Sequence, residues 1–462
     1  MNMKDNLFKG LLLVFLVLTF LCSYTFLYEN SDFLQKNFKQ VNLLFFNKKT
    51  LVRDISNQES SRLNQNILFV KDIIASEEKF QQYNDSIEKI KKYDGAHTGL
   101  IYFFQSLINV ENKAKGTSRI GYYGDSMIEG DLMSMTLRKM LQKRFGGRGV
   151  GFMPITSITN NFRVTIRHEF SDGWKTYNLV KQNSPVALGV SGEVFLPDTS
   201  FSSHKVTYKA SNHQFLQDFP ITKLFYGPDT SYPKNNKVLL QNKLFLLEKE
   251  ELVNSLILSN TTTDEIELIF DFSSSLPIYG LSFESNNGIL LDNFAIRGNS
   301  GIPMTKIQSN ILRNFNKEMK YDLIILQFGL NVVSGKSNFK WYQKQMERVI
   351  RHFKNAMPNT SILVVSIPDQ SSKNEDAKMS TNPSVTAIVE AQKEAARSSE
   401  VAFLNLYDAM GGRNSMIEWV EELQYANKDY VHFNHKGARN AANLIHEFLI
   451  NEYEEFKQAI HD

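Results

Sequence analysis

Residues 121–131 read GYYGDSMIEGD. The run SRIGYYG (118–124) has the apolar and aromatic character of a short buried strand. After it, IEGDLMSMTLRKMLQKRFG places Leu132, Met135, Leu137, Met140 and Leu141 at helical spacing, and Gly146-Gly147 stop the run. Ser126 therefore falls at a strand-to-helix turn. Asp and Ser in that position usually cap a helix, so a reactive role for Ser126 needs support from elsewhere in the chain.

Downstream of about residue 276 the pattern alternates strand with helix. GILLDNFAIRGNSG (288–301) reads as a strand ending in glycines, and YDLIILQFGLN (321–331) as a buried strand with a polar tip. KWYQKQMERVIRHFKNAM (340–357) is amphipathic, and SILVVSIPD (361–369) is a further strand. PSVTAIVEAQKEAARSS (383–399), VAFLNLYD (401–408) and KGARNAANLIHEFLINEYEEF (436–456) continue as helix, strand and helix. Such alternation implies a largely parallel sheet covered on both faces, in which function collects at the carboxyl ends of strands.

Those ends carry polar residues at Gly124-Asp125-Ser126, Arg297-Gly298-Asn299-Ser300-Gly301, Gly329-Leu330-Asn331 and Asp429-Tyr430-Val431-His432. Each alone reads as a cap, a turn or a structural histidine. Together they supply a nucleophile, a base, an orienting acid and donors for an oxyanion. Asp429 and His432, three apart, suit one loop or helical turn. His432 is placed to take the proton of Ser126, and Asp429 to fix the imidazole tautomer. Backbone N–H groups of Ser126 and Gly301, with the Asn331 amide, form the expected oxyanion hole, although RGNSG offers Gly298 as well. A helix starting near Ile128 would add its positive end.

GDS, a functional Gly, GxN and DxxH in that order resemble the SGNH (GDSL-like) hydrolases, over residues 120–437. The resemblance implies a flavodoxin-like three-layer α/β/α sandwich, with Ser126 as nucleophile, Asp429 and His432 completing the triad, and Gly301 and Asn331 as oxyanion donors. Met127-Ile128 stand where the common motif has Leu, which removes no catalytic group. Between the serine block and the glycine block, KVTYKA (205–210), KVLLQNKLFLLEKE (237–250) and DEIELIFDF (264–272) are strand-like runs separated by turn clusters. They indicate an inserted β-sandwich, jelly-roll-like, at 156–275. This layout is similar to cell-envelope peptidoglycan and carbohydrate O-acetylesterases, which carry a carbohydrate-binding-module-like β domain at this point. The hydrolase domain is then expected in two parts, 96–155 and 276–462.

The N-terminus carries Lys4 and Lys9, followed by LLLVFLVLTFLCSYTFL to Leu27 with no charge. A run of about 18 apolar residues is just long enough to span a bilayer. The flanking lysines favour a cytoplasmic N-terminus. Residues 1–28 therefore read as a single-pass signal anchor in the inner or plasma membrane, with the catalytic part periplasmic or extracellular. No small-x-small site follows, and Leu21 is too large for a lipoprotein site before Cys22; secretion after signal cleavage is the competing reading. Residues 29–95 are polar, with Ile67, Leu68, Val70, Ile73 and Ile74 at helical spacing, and read as a helical stalk or linker.

Composition narrows the classes further. Lys+Arg 52 against Asp+Glu 49 is too balanced for a nucleic-acid binder. Cys22, the only cysteine, lies in the apolar segment, so disulfides and Cys-based metal sites or nucleophiles are excluded outside it. His97, His168, His204, His213, His352, His446 and His461 show no metal-ligand spacing, and neither metal nor cofactor is expected. His435 is the rival base. Glu129 and Asp131 read as acids favouring a helix N-terminus, and Trp174 and Trp419 as core residues or sugar platforms.

The expected function is an exported serine esterase removing O-acetyl groups from an envelope or extracellular polysaccharide, with peptidoglycan favoured. Its partners would be the acetylated glycan and other proteins of envelope polysaccharide modification. A polysaccharide O-acetyltransferase using the same triad, and a non-catalytic glycan-binding protein, are the alternatives.

Overall fold

The computed structural model describes residues 99–112, 116–181, 183–230, 234–333 and 339–461. These belong to one compact unit, Tyr83–Asp462. The anchor expected at 1–28 and the stalk expected at 29–95 lie outside the described residues. Among the described residues no helix is long and apolar enough to cross a membrane.

A five-stranded sheet organises the hydrolase part: β1 (Thr117–Gly124), β2 (Gly288–Ala295), β3 (Tyr321–Gln327), β4 (Ser361–Val365) and β5 (Ala402–Leu404). All neighbours are parallel, in the order β2-β1-β3-β4-β5. This is the flavodoxin-like order, whose reversal point lies between β1 and β3. Strand residues alternate between two cores, as a sheet buried on both faces requires. Ile324 and Leu326 pack with helices α3 (Ser309–Met319), α4 (Phe339–Ala356) and α5 (Ser384–Ser398). Leu323 and Ile325 pack on the other side with α1 (Ile101–Glu111), α2 (Leu132–Phe145) and α8 (His435–His461). Two short helices, α6 (Leu406–Ala409) and α7 (Ser415–Glu421), lead to the loop before α8.

Between α2 and β2 the chain leaves the sheet to build two antiparallel sheets. One orders Asn254–Ser259, Ile221–Tyr226, Ile278–Glu284, Glu193–Pro197 and Trp174–Asn178, with Gly151–Met153 added beside Ile278–Glu284. The other orders Ile166–Phe170, His204–Ala210, Glu265–Asp271, Lys237–Leu240 and Lys243–Leu246. In Glu265–Asp271 alternate residues Ile266, Leu268 and Phe270 are buried, and they share a core with Phe195, Leu224 and Leu281 of the facing sheet. A period of two with one face buried is what a sandwich layer needs. The sandwich strands begin at Gly151 and end at Glu284, outside the expected 156–275 at both ends. GFM at 151–153 is too short to show a period, and Ile278–Glu284 is buried along nearly its whole length.

A buried ionic cluster ties the sandwich to the parallel sheet. Arg119 on β1 donates from Nε and Nη2 to Asp292 on β2 at 2.8 and 3.0 Å, and from Nη1 to Glu284 at 2.7 Å. Phe152 N–H and the Tyr321 hydroxyl also donate to Asp292, at 2.8 and 2.7 Å. Burial works against the Arg119 charge, but Asp292 and Glu284 outweigh it and hold the guanidinium well above its usual range.

Candidate active site

The site sits at the carboxyl ends of β1, β2 and β3, around the reversal point. In-register pairing sets Gly124 of β1 level with Ala295 of β2 and Gln327 of β3, so the three following turns emerge side by side. Ser126 starts a 3-10 turn, Ser126–Asp131, and is half-buried. The α-helix expected from Ile128 begins only at Leu132. Gly130 and Asp131 take φ of +68° and +67°, which breaks the helical path. The helix N-terminus is thus displaced from the serine, and its dipole is a weaker aid than the sequence implied.

Ser126 Oγ lies 3.0 Å from His432 Nε2. His432 Nδ1 lies 2.9 Å from Asp429 Oδ2. A carboxylate only accepts, so Nδ1 carries the proton and Nε2 faces the serine with a free lone pair. Asp429 Oδ1 accepts the backbone N–H groups of Val431 and His432 at 2.9 and 3.0 Å, closing the turn that aims the imidazole. Burial raises the Asp429 pKa, but those N–H groups and the His432 ring overcome it and leave the carboxyl below its usual range. The Asn427 N–H donates to His432 O at 2.9 Å, and Asn434 caps the start of α8 through Lys436 N–H at 2.8 Å. His435 is exposed, on the first position of α8.

Asn331 is also brought in. Its Nδ2 donates to Asp125 Oδ2 at 3.2 Å and to Asn299 O at 3.1 Å. Gly301 is different: its N–H donates to the buried Asn299 Oδ1 at 2.9 Å, and it precedes the 3-10 turn Ile302–Lys306 with φ of +87°. Its donor is therefore spent inside the loop. Gly298, exposed and with φ of +80°, is the remaining glycine of the stretch.

The acids that follow Ser126 are each paired with arginine. Glu129 accepts Nε and Nη2 of Arg297, which links the serine turn to the loop after β2. Asp131 is fully buried and bound by both arms of the Arg138 fork, at 2.8 and 3.0 Å. Trp419 is core, with Nε1 donating to Met410 O at 3.1 Å.

Asp125 is a site residue that motif reading left as part of the turn. Its Oδ1 accepts Met127 N–H at 3.0 Å, and its Oδ2 holds Asn331. Burial pushes its carboxyl up to about 6, against the lowering effects of Met127 N–H and His432. The only advance signal was its place in a strand-end turn, which is shared with ordinary caps. Among the described residues no group of three or more His, Cys, Asp or Glu is set to hold a metal.

Residues 278–439 match the model of the GDSL-like Lipase/Acylhydrolase family. The match begins within the last strand of the sandwich and takes in Gly298, Asn331, Asp429 and His432; Ser126 lies upstream of it. A solved structure of a peptidoglycan O-acetylesterase aligns with a TM-score of 0.64 and 21% identity, over 77% of this chain and 96% of that one. A family 3 carbohydrate esterase from Talaromyces cellulolyticus is 19% identical over 36% of this chain and 72% of its own, with a TM-score of 0.27. A family two carbohydrate esterase from Cellvibrio japonicus is 10% identical over 62% and 99%, with a TM-score of 0.26. The last two likenesses are too slight to carry an argument. No curated protein sequence matches this chain significantly. The fold is thus the α/β fold of SGNH-type hydrolases. Taken with the family match downstream, the chain resembles the SGNH/GDSL hydrolases, O-acetylesterases among them.

Proposed function

We propose that this protein is a serine esterase that removes O-acetyl groups from an envelope or extracellular polysaccharide, peptidoglycan foremost. The observation that carries the reading is the continuous relay Ser126 Oγ, His432 Nε2, His432 Nδ1, Asp429 Oδ2 at 3.0 and 2.9 Å. A binding protein has no need of it. The likeness in fold to a peptidoglycan O-acetylesterase supports the choice of substrate class.

In this mechanism Ser126 Oγ attacks the acetyl carbonyl while its proton passes to His432 Nε2. The tetrahedral oxyanion is met by the backbone N–H groups of Ser126 and Gly298 and by the Asn331 amide. Asn331 would exchange one of its present acceptors for the oxyanion. Collapse expels the sugar oxygen, which takes the proton from His432. Water then attacks the acetyl-enzyme with His432 as base, releasing acetate. The side chains of His432 and Asp429 are 42% and 48% exposed, so water reaches the base for this second step. The apolar N-terminal segment would hold this domain outside the cytoplasm at the membrane.

The test is acetate release by the purified full chain from O-acetylated peptidoglycan, acetylated xylan and an acetylated exopolysaccharide. Ser126→Ala should lose at least about 10³-fold in kcat, since the residual rate rests on binding and the oxyanion hole alone. Undiminished release by that variant would sink the proposal.

A further inference from the structure

A cleft of about 370 Å³ lies between the sandwich and the carboxyl end of the parallel sheet, walled by Trp174 and Lys181 on one side and Ile296 and Arg297 on the other. That volume is within the range of small-ligand sites, roughly 300–1,000 Å³. It opens beside the nucleophile's turn, because Glu129 and Arg297 line it and Gly298 follows directly.

Its charges do not balance. Arg163, Lys181 and Arg297 line it, against Glu129, Asp172 and Glu193. Glu129 is committed to Arg297. Burial pushes the Glu193 carboxyl up to about 8, so it is uncharged at neutral pH. Arg163 has only a share in Asp131, whose two oxygens are already gripped by Arg138. The Arg163 side chain is 8% exposed; its Nε donates to Thr165 Oγ1 at 2.9 Å, while its Nη2 stands 3.2 Å from Asp131 as an ion pair outside hydrogen-bond geometry. Two buried guanidinium groups thus share one carboxylate, and an imperfectly paired buried cation is costly unless an anion arrives. Two more buried atoms at this cleft, Trp174 Nε1 and Ser191 Oγ, also lack partners among the described residues. The cleft offers donors and positive charge in excess.

We infer that this cleft is a subsite for a carboxylate-bearing sugar of the glycan, with Arg163 and Lys181 as the cations and Trp174 Nε1 as a neutral donor. The inference rests on the esterase reading for its glycan. It goes further in requiring that the glycan present a sugar carboxylate to this cleft. An ether-linked lactyl group and a uronic acid supply the same carboxylate chemistry.

The experiment uses the full chain carrying Ser126→Ala, which binds without turnover. It is titrated with N-acetylmuramic acid, its methyl ester, N-acetylglucosamine and glucuronic acid, by ligand-observed NMR. At least one acid should bind tenfold or more tighter than the methyl ester and N-acetylglucosamine. Added Arg163→Met or Lys181→Met should cut that preference at least threefold. If Arg163→Met does not fold, Lys181→Met and Trp174→Phe carry the test. Preference for one acid over the other identifies the source of the carboxylate. Equal affinity for acid and ester, or no binding of either acid, overturns the inference. Acid preference without acetate release by the wild-type chain would instead count against the esterase reading alone.

Discussion

Two buried ionic clusters lie where the sandwich meets the parallel sheet, and they are built on opposite principles. Around Arg119, one guanidinium faces two carboxylates, Asp292 and Glu284, and its donors all reach those acids or Ser282. Around Asp131, one carboxylate faces two guanidinium groups, and Arg163 keeps a buried nitrogen without a hydrogen bond among the described residues. The first cluster is closed and joins β1, β2 and the strand before β2, so it reads as a structural clamp. The second reaches the cleft through Arg163 and is incomplete. A fully satisfied buried network rigidifies, whereas one left partly unsatisfied beside a cavity points to a ligand.

Breaking the clamp should give the largest loss of stability. Asp292→Ala strands Arg119 beside a single acid and leaves Phe152 N–H and the Tyr321 hydroxyl without their acceptor; the expected loss is about 3–5 kcal/mol, read by urea unfolding. Arg163→Met removes the excess cation, and the Arg138–Asp131 pair stays intact. It should cost clearly less than Asp292→Ala in the same assay, and equal losses would erase the distinction between the clusters.

Asp125→Asn addresses the site itself. An amide turned to accept Met127 N–H presents its NH2 to the Asn331 amide, donor against donor, so Asn331 loses its seat. The expected cost is about 10²-fold in kcat, the effect of losing one oxyanion donor. The pH profile gives the sign. The Asp125 carboxyl titrates near 6 in the folded protein, so the carboxylate that holds Asn331 is present above that pH and protonated below it. Wild-type activity should fall as pH drops through 6.

Glu193→Gln is the smallest change. Because the folded carboxyl keeps its proton to about 8 while the unfolded one ionises near the ordinary 4.5, stability declines as pH rises between them. The variant should therefore melt roughly 2 °C or more above wild type at pH 9 and alongside it at pH 4, read by calorimetry.

The parallel sheet and its reactive tips were legible because each strand is an apolar run that ends in Gly, Asn, Asp or Ser. Ser126 and Asn331 follow such ends, whereas Asp429 and His432 come from the loop before α8, and the structure brings the four together. The choice between Gly298 and Gly301 was not legible. Both have positive φ, and only the Asn299 side chain, folded onto Gly301 N–H, separates them. The late start of α2 was partly visible in Gly130, but the left-handed Asp131 that completes the break was not. Neither ionic cluster was visible. Arg119 and Asp292 are 173 residues apart, and Arg163 meets Asp131 only because the sandwich folds back over the serine turn.

The central claim is that Ser126 is the acyl-accepting nucleophile of a glycan O-acetylesterase. Incubating the full chain with O-acetylated peptidoglycan, quenching early and weighing the intact protein by mass spectrometry tests it directly. The account predicts an added acetyl group on the peptide carrying Ser126, released to acetate with time and absent from Ser126→Ala. Acetate release by Ser126→Ala at the wild-type rate, or an acetyl group on a different residue of the active wild-type chain, would contradict it.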